Sequence, residues 1–292
     1  MSEPRTVTQL LALGERVLSD SSHIFEDHDN GAEARELLAL CLDVEVDDVE
    51  DVDEEVGKRI RERYLSLVAR RAGGEPLPFL TGHIEFWGLH LTVRPGAFVP
   101  RPSSELTVER ALRRLGRRKA PVVVDVCTGA GPIALALADE LPKAEVWGAD
   151  ISTEGLAQGR LNARLLDIDN VHFKKSDMYE NLPARLRGRV DLITGHVPYV
   201  PADEIADLPS EVREFEPLYT LSDDSIDGLG LMRRAVEGAP EWLKPGGWLL
   251  LELSDDMPPK VRKLLKRTGL EDHGVASDDD DLSVVVEARK SP

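Results

Sequence analysis

Apolar positions recur at helical spacing through the first quarter of the chain. From Thr6 to Leu18, residues Val7, Leu10, Leu11, Leu13 and Val17 follow the 3.6-residue period of an amphipathic helix. A polar break from Ser19 to Gly31 ends on the turn signal Asn30-Gly31. Ala32 to Leu42 and Val56 to Ala72 give two further helical stretches. The acidic run Asp47 to Glu55 between them lacks the glycine-centred spacing of a calcium loop and reads as a solvated connection.

The period then shortens. His83 to Val93 alternates like a small hairpin ending at Pro95-Gly96, and Ser103 or Ser104 is placed to cap a helix from Glu105 to Leu115. Beyond Pro121, strand and helix alternate. Strands are predicted at Val122–Val126, Ala144–Ala149, Val171–Lys174, Val190–Thr194 and Trp248–Leu253. Helices are predicted at Pro132–Glu140, Thr153–Leu166 and Pro259–Thr268. Val275 and Leu282 to Ala288 resemble a closing antiparallel pair around Asp278 to Asp281. Such alternation predicts an α/β fold, a doubly wound, mainly parallel sheet with helices on both faces and ligands at the carboxyl ends of its strands. The expected division is a helical domain over 1–75, a linker with a hairpin over 76–104, and the α/β domain over 105–292.

Charge removes one class of partner. Asp and Glu number 54 against 36 Lys and Arg, a formal net charge of −18, whereas a nucleic-acid binder needs a basic footprint. The local run Arg113, Arg114, Arg117, Arg118 and Lys119 reads as a helix end followed by a solvated linker. Cys41 and Cys127 stand far apart in no metal spacing, so neither a disulfide scaffold nor a metal site is expected. No apolar run approaches the ~18 residues of a membrane span, and Met1 to Arg5 opens no secretory signal. The expectation is a cytoplasmic protein with no membrane partner.

Candidate chemistry begins at Asp125-Val126-Cys127-Thr128-Gly129-Ala130-Gly131, directly after the first strand of the α/β domain. Gly129 and Gly131 allow a tight turn and close approach of a ligand to a helix N-terminus. A glycine turn alone suits a dinucleotide equally well. The acids decide between the two. Asp125 would repel a pyrophosphate but suits a cationic amino-acid group; Asp150 ends the next strand, placed for ribose hydroxyls; Asp177 follows the third, placed for an adenine amino group. Singly, each reads as a helix cap. Together, with Ile151 and Met178 beside them, they point to S-adenosylmethionine as cofactor and S-adenosylhomocysteine as product.

Three further segments carry a family resemblance: Arg71 to Gly82 (RAGGEPLPFLTG), Phe86-Trp87-Gly88-Leu89, and Val99-Pro100-Arg101-Pro102-Ser103-Ser104-Glu105. With the glycine turn, Phe215-Glu216-Pro217 and Asp227-Gly228-Leu229 in the same order, they resemble the release-factor glutamine N5-methyltransferases over nearly the whole chain. The resemblance implies a seven-stranded class I methyltransferase sheet and a helical N-terminal domain that helps hold a protein substrate. It also places the Val99-Pro100-Arg101-Pro102 segment by the cofactor, and Phe98 just before it is a further expected cofactor contact. Arg101 would either touch the cofactor carboxylate or pair with Glu105. Glu216-Pro217 would brace the loop after the fourth strand.

The chain departs from that family at two points. Cys127 replaces a turn glycine, and His196-Val197-Pro198-Tyr199 replaces Asn-Pro-Pro-Tyr. In the family, the asparagine oxygen and the next backbone carbonyl accept the two hydrogens of the substrate amide, a poor nucleophile because its lone pair is delocalised. A neutral imidazole offers one acceptor and one donor, and it is a base near neutral pH. The leading expectation is therefore a small aromatic or heterocyclic acceptor, indole- or phenol-like, sandwiched by Phe98, Tyr199 and Phe215 and contacting Val197 and Pro198. His196 would be its general base, also bordering the cofactor, and Tyr199 would assist catalysis. Alternatives are methylation of a release-factor glutamine, and cofactor binding without catalysis; for His196 itself the alternative is a substitution without catalytic meaning.

Overall fold

The computed structural model describes residues 4–24, 28–52, 55–277 and 284–292. The chain divides into two compact units, one of residues 1–83 with 207–216 and one of residues 84–206 with 217–292.

The first unit is helical. Helix α1 (Val7–Ser19) starts with a capping box in which the Thr6 hydroxyl accepts from Gln9 N and the Gln9 side chain accepts from Thr6 N. Asp29 caps α2 (Asn30–Leu42), and α3 (Lys58–Ala72) and the short α4 (Leu77–Thr81) follow. Leu10, Leu37, Leu38 and Tyr64 are fully buried in the core between them, where the Tyr64 hydroxyl donates to Leu10 O at 3.2 Å. The acidic connection is more than a solvated one. Val46–Asp51 forms a 3-10 turn that buries Val49 completely, because one apolar side chain suffices to pin an otherwise charged segment to the core. Residues 53 and 54 of that run lie outside the described residues.

The second unit opens with the hairpin β1 (His83–Phe86) and β2 (Leu89–Thr92), then α5 (Glu105–Leu115). The alternating part runs β3 (Val122–Val126), α6 (Pro132–Glu140), β4 (Glu145–Asp150), α7 (Thr153–Leu165), β5 (Val171–Lys175) and β6 (Val190–His196). After β6 the chain leaves for the helical unit, where it forms α8 (Ser210–Arg213), and returns at residue 217. It finishes with α9 (Gly230–Trp242), β7 (Leu243–Leu253), α10 (Pro258–Leu265), β8 (Leu270–Ser277) and β9 (Val284–Lys290).

Among the described residues the strands form a seven-stranded sheet of order β5-β4-β3-β6-β7-β9-β8. The pairs from β5 to β7 are parallel, and β9 is antiparallel to both β7 and β8. The fold is thus α/β and mainly parallel, as the alternation predicts. Side chains alternate between two cores. Val124, Ile193 and Leu249 face Met232, Val236 and Val261, while Val123, Leu192 and Leu250 face Val108, Ala111 and Ile133. Strand order turns in opposite directions on the two sides of β3, so the crevice at the carboxyl ends of β3 and β6 is the switch point where ligands bind in open sheets.

Three differences from the sequence expectation have local causes. Helix α9 is hidden by Gly230, Gly238 and Pro240, which read as breakers. Gly238 is there because a β-carbon would come within 2.6 Å of the Tyr179 ring. Strand β7 starts at Leu243, five residues early, and passes through Pro245-Gly246-Gly247 with a register shift against β6. Ser104 does sit at the N-cap of α5, yet its hydroxyl caps nothing and turns instead to Glu252. The expected closing turn at Asp278 to Asp281 lies outside the described residues.

Candidate active site

The turn after β3 holds three left-handed residues, Cys127 at φ 55°, Gly129 at 56° and Gly131 at 81°. A β-carbon on Gly129 would meet open space, so the backbone there is approachable, and Gly131 caps α6. Asp150 closes the turn from β4, with Oδ2 accepting from Gly129 N at 2.8 Å and Oδ1 from Ser152 N at 2.7 Å. Asp125 is buried. Its Oδ2 accepts from the Thr128 hydroxyl at 2.5 Å and its Oδ1 from the Thr194 hydroxyl at 2.8 Å, tying β3, the turn and β6 together. Cys127 Sγ lies 3.7 Å from Met178 Sδ, and burial pushes the thiol well above its ordinary range, so it stays neutral. Met178 is itself left-handed at φ 48°. Asp177 forms an ion pair with Arg234 at 2.9 Å, and Ile151 exposes half its surface beside Asp150.

Electrostatics bear on what this edge accepts. Burial pushes the Asp125 carboxyl up to about 6, the charges of Asp150 and Glu252 add to that, and the two threonine hydroxyls oppose it. Burial raises Asp150 too, against the backbone amides of Ser152 and Gly129. Carboxylates that destabilise one another favour a cationic ligand over an anionic one. An approachable glycine turn, acids at successive strand ends and the exposed Ile151 therefore fit a nucleoside that carries a sulfonium and an ammonium group.

His196 ends β6 at the same crevice, and its register partner on β7 is Glu252. The imidazole is flanked by rings on two sides. Phe98 stands edge-on with centroids 5.5 Å apart at 82°, and Tyr199 stacks at 5.7 Å and 20°. The Arg101 guanidinium covers the Phe98 ring at 4.5 Å. Glu105 accepts from Trp87 N at 2.6 Å. Behind the imidazole, Glu252 is only 2% exposed and accepts from the Ser104 hydroxyl at 2.9 Å and the Thr107 hydroxyl at 3.0 Å. His196 Nδ1 lies 3.4 Å from Ser104 Oγ and 3.5 Å from Glu252 Oε1. Burial and then the Glu252 charge push the Tyr199 phenol up to about 12, so it stays protonated at neutral pH. Val197 and Pro100 are buried, and Pro198 is half-buried.

Sequence-selected residues thus gather in two sets around the switch point, Asp125 to Gly131 with Asp150 and Met178, and Phe98, Arg101, His196 and Tyr199. Phe215 belongs instead to the helical unit, near Gly74. Thr107 and Glu252 escaped the sequence reading, and Ser104 entered it only as a helix cap. Among the described residues no group of His, Cys, Asp and Glu is arranged to hold a metal ion, and no helix is long and apolar enough to cross a membrane.

Residues 118–283 match the family described as Methyltransferase domain. A release factor glutamine methyltransferase of Geobacter sulfurreducens is 40% identical over 223 residues, 76% of each chain. One of Burkholderia pseudomallei is 40% identical over 225 residues, 75% of this chain and 78% of its own. The chain belongs to the release factor glutamine methyltransferase family.

It is an S-adenosylmethionine-dependent methyltransferase. A methyltransferase of Pyrococcus furiosus superposes with a TM-score of 0.54 at 17% identity, over 70% of this chain and 90% of its own, and shares the fold. The Thermus thermophilus 16S rRNA N2 G1207 methyltransferase, solved with S-adenosylmethionine and guanosine, does so at 0.51 and 21% identity, over 71% and 49%.

Membership corrects one expectation. His196 and Val197 in place of Asn and Pro favour a small-molecule acceptor over a protein on sequence alone. The relatives that share 40% identity over more than 220 residues are named for a release-factor glutamine, and that overturns the ranking. The physical reason lies in the imidazole itself, which keeps an acceptor nitrogen when its other nitrogen donates. A changed side chain need not mean a changed acceptor.

Proposed function

We propose that the chain transfers a methyl group to the side-chain amide nitrogen of a glutamine in a peptide-chain release factor. The observation that carries this reading is the extent of likeness to enzymes named for that reaction, 40% identity over 223 residues. It is supported by an imidazole flanked by two rings at the crevice where acids and an open glycine turn converge.

Residues Asp125, Cys127, Thr128, Gly129, Gly131, Asp150, Ile151, Asp177 and Met178 would hold the cofactor, with Phe98, Pro100 and Arg101 bordering it. When bound, S-adenosylmethionine supplies an electrophilic methyl group and leaves as S-adenosylhomocysteine. The task left to this chain is aim, since an amide nitrogen attacks only when its weak lone pair points at the methyl carbon. His196 Nε2 accepts one amide hydrogen and the Val197 carbonyl the other, with Pro198 and Tyr199 lining the approach. Once methylated, the amide nitrogen would be cationic, and His196 Nε2 would take its proton. Glu252 then stabilises the resulting imidazolium.

The test is incubation of the protein and S-adenosylmethionine with a release factor, followed by peptide mass spectrometry. The expected result is one added methyl on a single glutamine. Cofactor binding without that gain would overturn the acceptor.

A further inference from the structure

The donor arrangement behind His196 fixes which of its nitrogens faces the substrate. We infer that Glu252, acting through the Ser104 hydroxyl, is a positioning residue that holds His196 as the Nδ1–H tautomer and leaves Nε2 as the bare acceptor. The inference rests on the proposed amide acceptor for its purpose, but on geometry alone for its content.

An ionised carboxylate only accepts, so at 2.9 Å the Ser104 hydroxyl must donate to Glu252 Oε1. A hydroxyl has one hydrogen, and this one is then committed. What Ser104 Oγ offers to His196 Nδ1 at 3.4 Å is a lone pair, so that contact is a hydrogen bond only if Nδ1 is the donor. Glu252 Oε1 itself, 3.5 Å from the same nitrogen, favours the same polarity by simple attraction. Thr107 donates to the other oxygen at 3.0 Å, which holds the carboxylate in place without contributing an opposing acceptor. The order is Nδ1–H to Ser104 Oγ, and Ser104 O–H to Glu252. A neutral imidazole so oriented carries its only lone pair in the ring plane at Nε2. The opposite tautomer would present an N–H to the substrate amide, donor against donor, and would leave both amide hydrogens to the Val197 carbonyl. The strand register makes the arrangement possible, because His196 and Glu252 are direct neighbours on parallel β6 and β7. The flanking Phe98 and Tyr199 rings limit rotation of the imidazole between them.

Long-range proton–nitrogen NMR on histidine-labelled protein reads the tautomer directly. His196 is assigned by the signal lost in His196→Asn, in alkaline buffer where imidazoles are neutral. Wild type is expected to show a protonated Nδ1 and a bare Nε2. Glu252→Gln gives the carboxylate position two donor hydrogens, and is expected to shift the ring toward Nε2–H and lower kcat about tenfold or more, with KM changed far less. Ser104→Ala breaks the relay and is expected to move the tautomer in the same direction but by less, because Glu252 still attracts an Nδ1–H from 3.5 Å, should Glu252→Gln fold poorly. An Nε2–H ring in wild type, or an unshifted ring in a folded Glu252→Gln or Ser104→Ala protein, overturns the inference. An Nδ1–H ring that responds to both substitutions, in a protein that leaves release factor unmethylated, supports the inference and overturns the acceptor instead.

Discussion

Among the described residues, two clusters place a histidine against buried carboxylates, one in each compact unit, and they put it to opposite use. In the helical unit, Arg71 is fully buried and donates to Glu33 Oε2 and to Glu211 Oε2, both at 2.7 Å. His28 adds Nδ1 to Glu33 at 2.7 Å and Nε2 to Glu211 at 3.4 Å. Both nitrogens of His28 meet carboxylates, and the Glu211 and Glu33 hydrogen bonds raise it from 6.5 to about 9, so the ring is cationic at neutral pH. Burial alone would raise Glu33 and Glu211, but His28 and Arg71 outweigh it and hold both below their ordinary 4.5. The whole cluster is committed to charge. At the switch point a hydroxyl stands between carboxylate and imidazole, and among the described residues these polar contacts engage Nδ1. The contrast teaches that a histidine is made structural by acids on both nitrogens, and made available by an acid behind one.

The largest effect should come from breaking the first cluster. Arg71→Met strands two buried carboxylates, a change that costs about 3–5 kcal/mol in comparable sites, visible as an early unfolding transition in urea. The second cluster should behave conversely. His196→Ala is expected to lower kcat about a hundredfold while its urea midpoint stays near wild type, and a parallel loss of stability would erase the contrast. A pH titration sharpens it further. Because the folded pKa of His28 is raised, its contribution is fully present below the ordinary 6.5 and is lost as pH rises through about 9. Stability should therefore decline across that window, and His28→Gln should flatten the decline; an unchanged slope would show that His28 does not carry it. The smallest effect concerns the turn. Cys127→Gly relieves a left-handed side chain and forfeits a contact with Met178, so stability should move by less than about 1 kcal/mol, and calorimetry should find cofactor affinity within a fewfold of wild type.

Elements with a clean period were legible before any coordinates. Val122–Val126 and the helix after it appear where the apolar spacing puts them, and so does the glycine turn between them. Helix α9 was not, since Gly238 answers to the Tyr179 ring and Gly230 to the Asp223 carboxylate, and neither to a local preference. Residues that reach the crevice through strand register were equally hidden. Glu252 sits in the apolar run of β7, 56 positions from His196, and nothing local marks it as that residue's neighbour. Ser104 was visible but misassigned, because a serine before a helix reads as a cap whatever its hydroxyl does. Arg71 stood inside a motif noted for resemblance, yet its partner Glu211 lies 140 positions away.

That last separation has a consequence for modularity. Since residues 207–216 belong to the helical unit although residues on either side belong to the α/β unit, no single cut in the polypeptide severs one from the other. A gene fragment starting at residue 84 would still encode Glu211 and would lack the Arg71 guanidinium that neutralises it. The catalytic unit is thus not a portable cassette. Exchange of the helical unit between relatives would have to carry two stretches of coding sequence at once, matched at a buried ion pair.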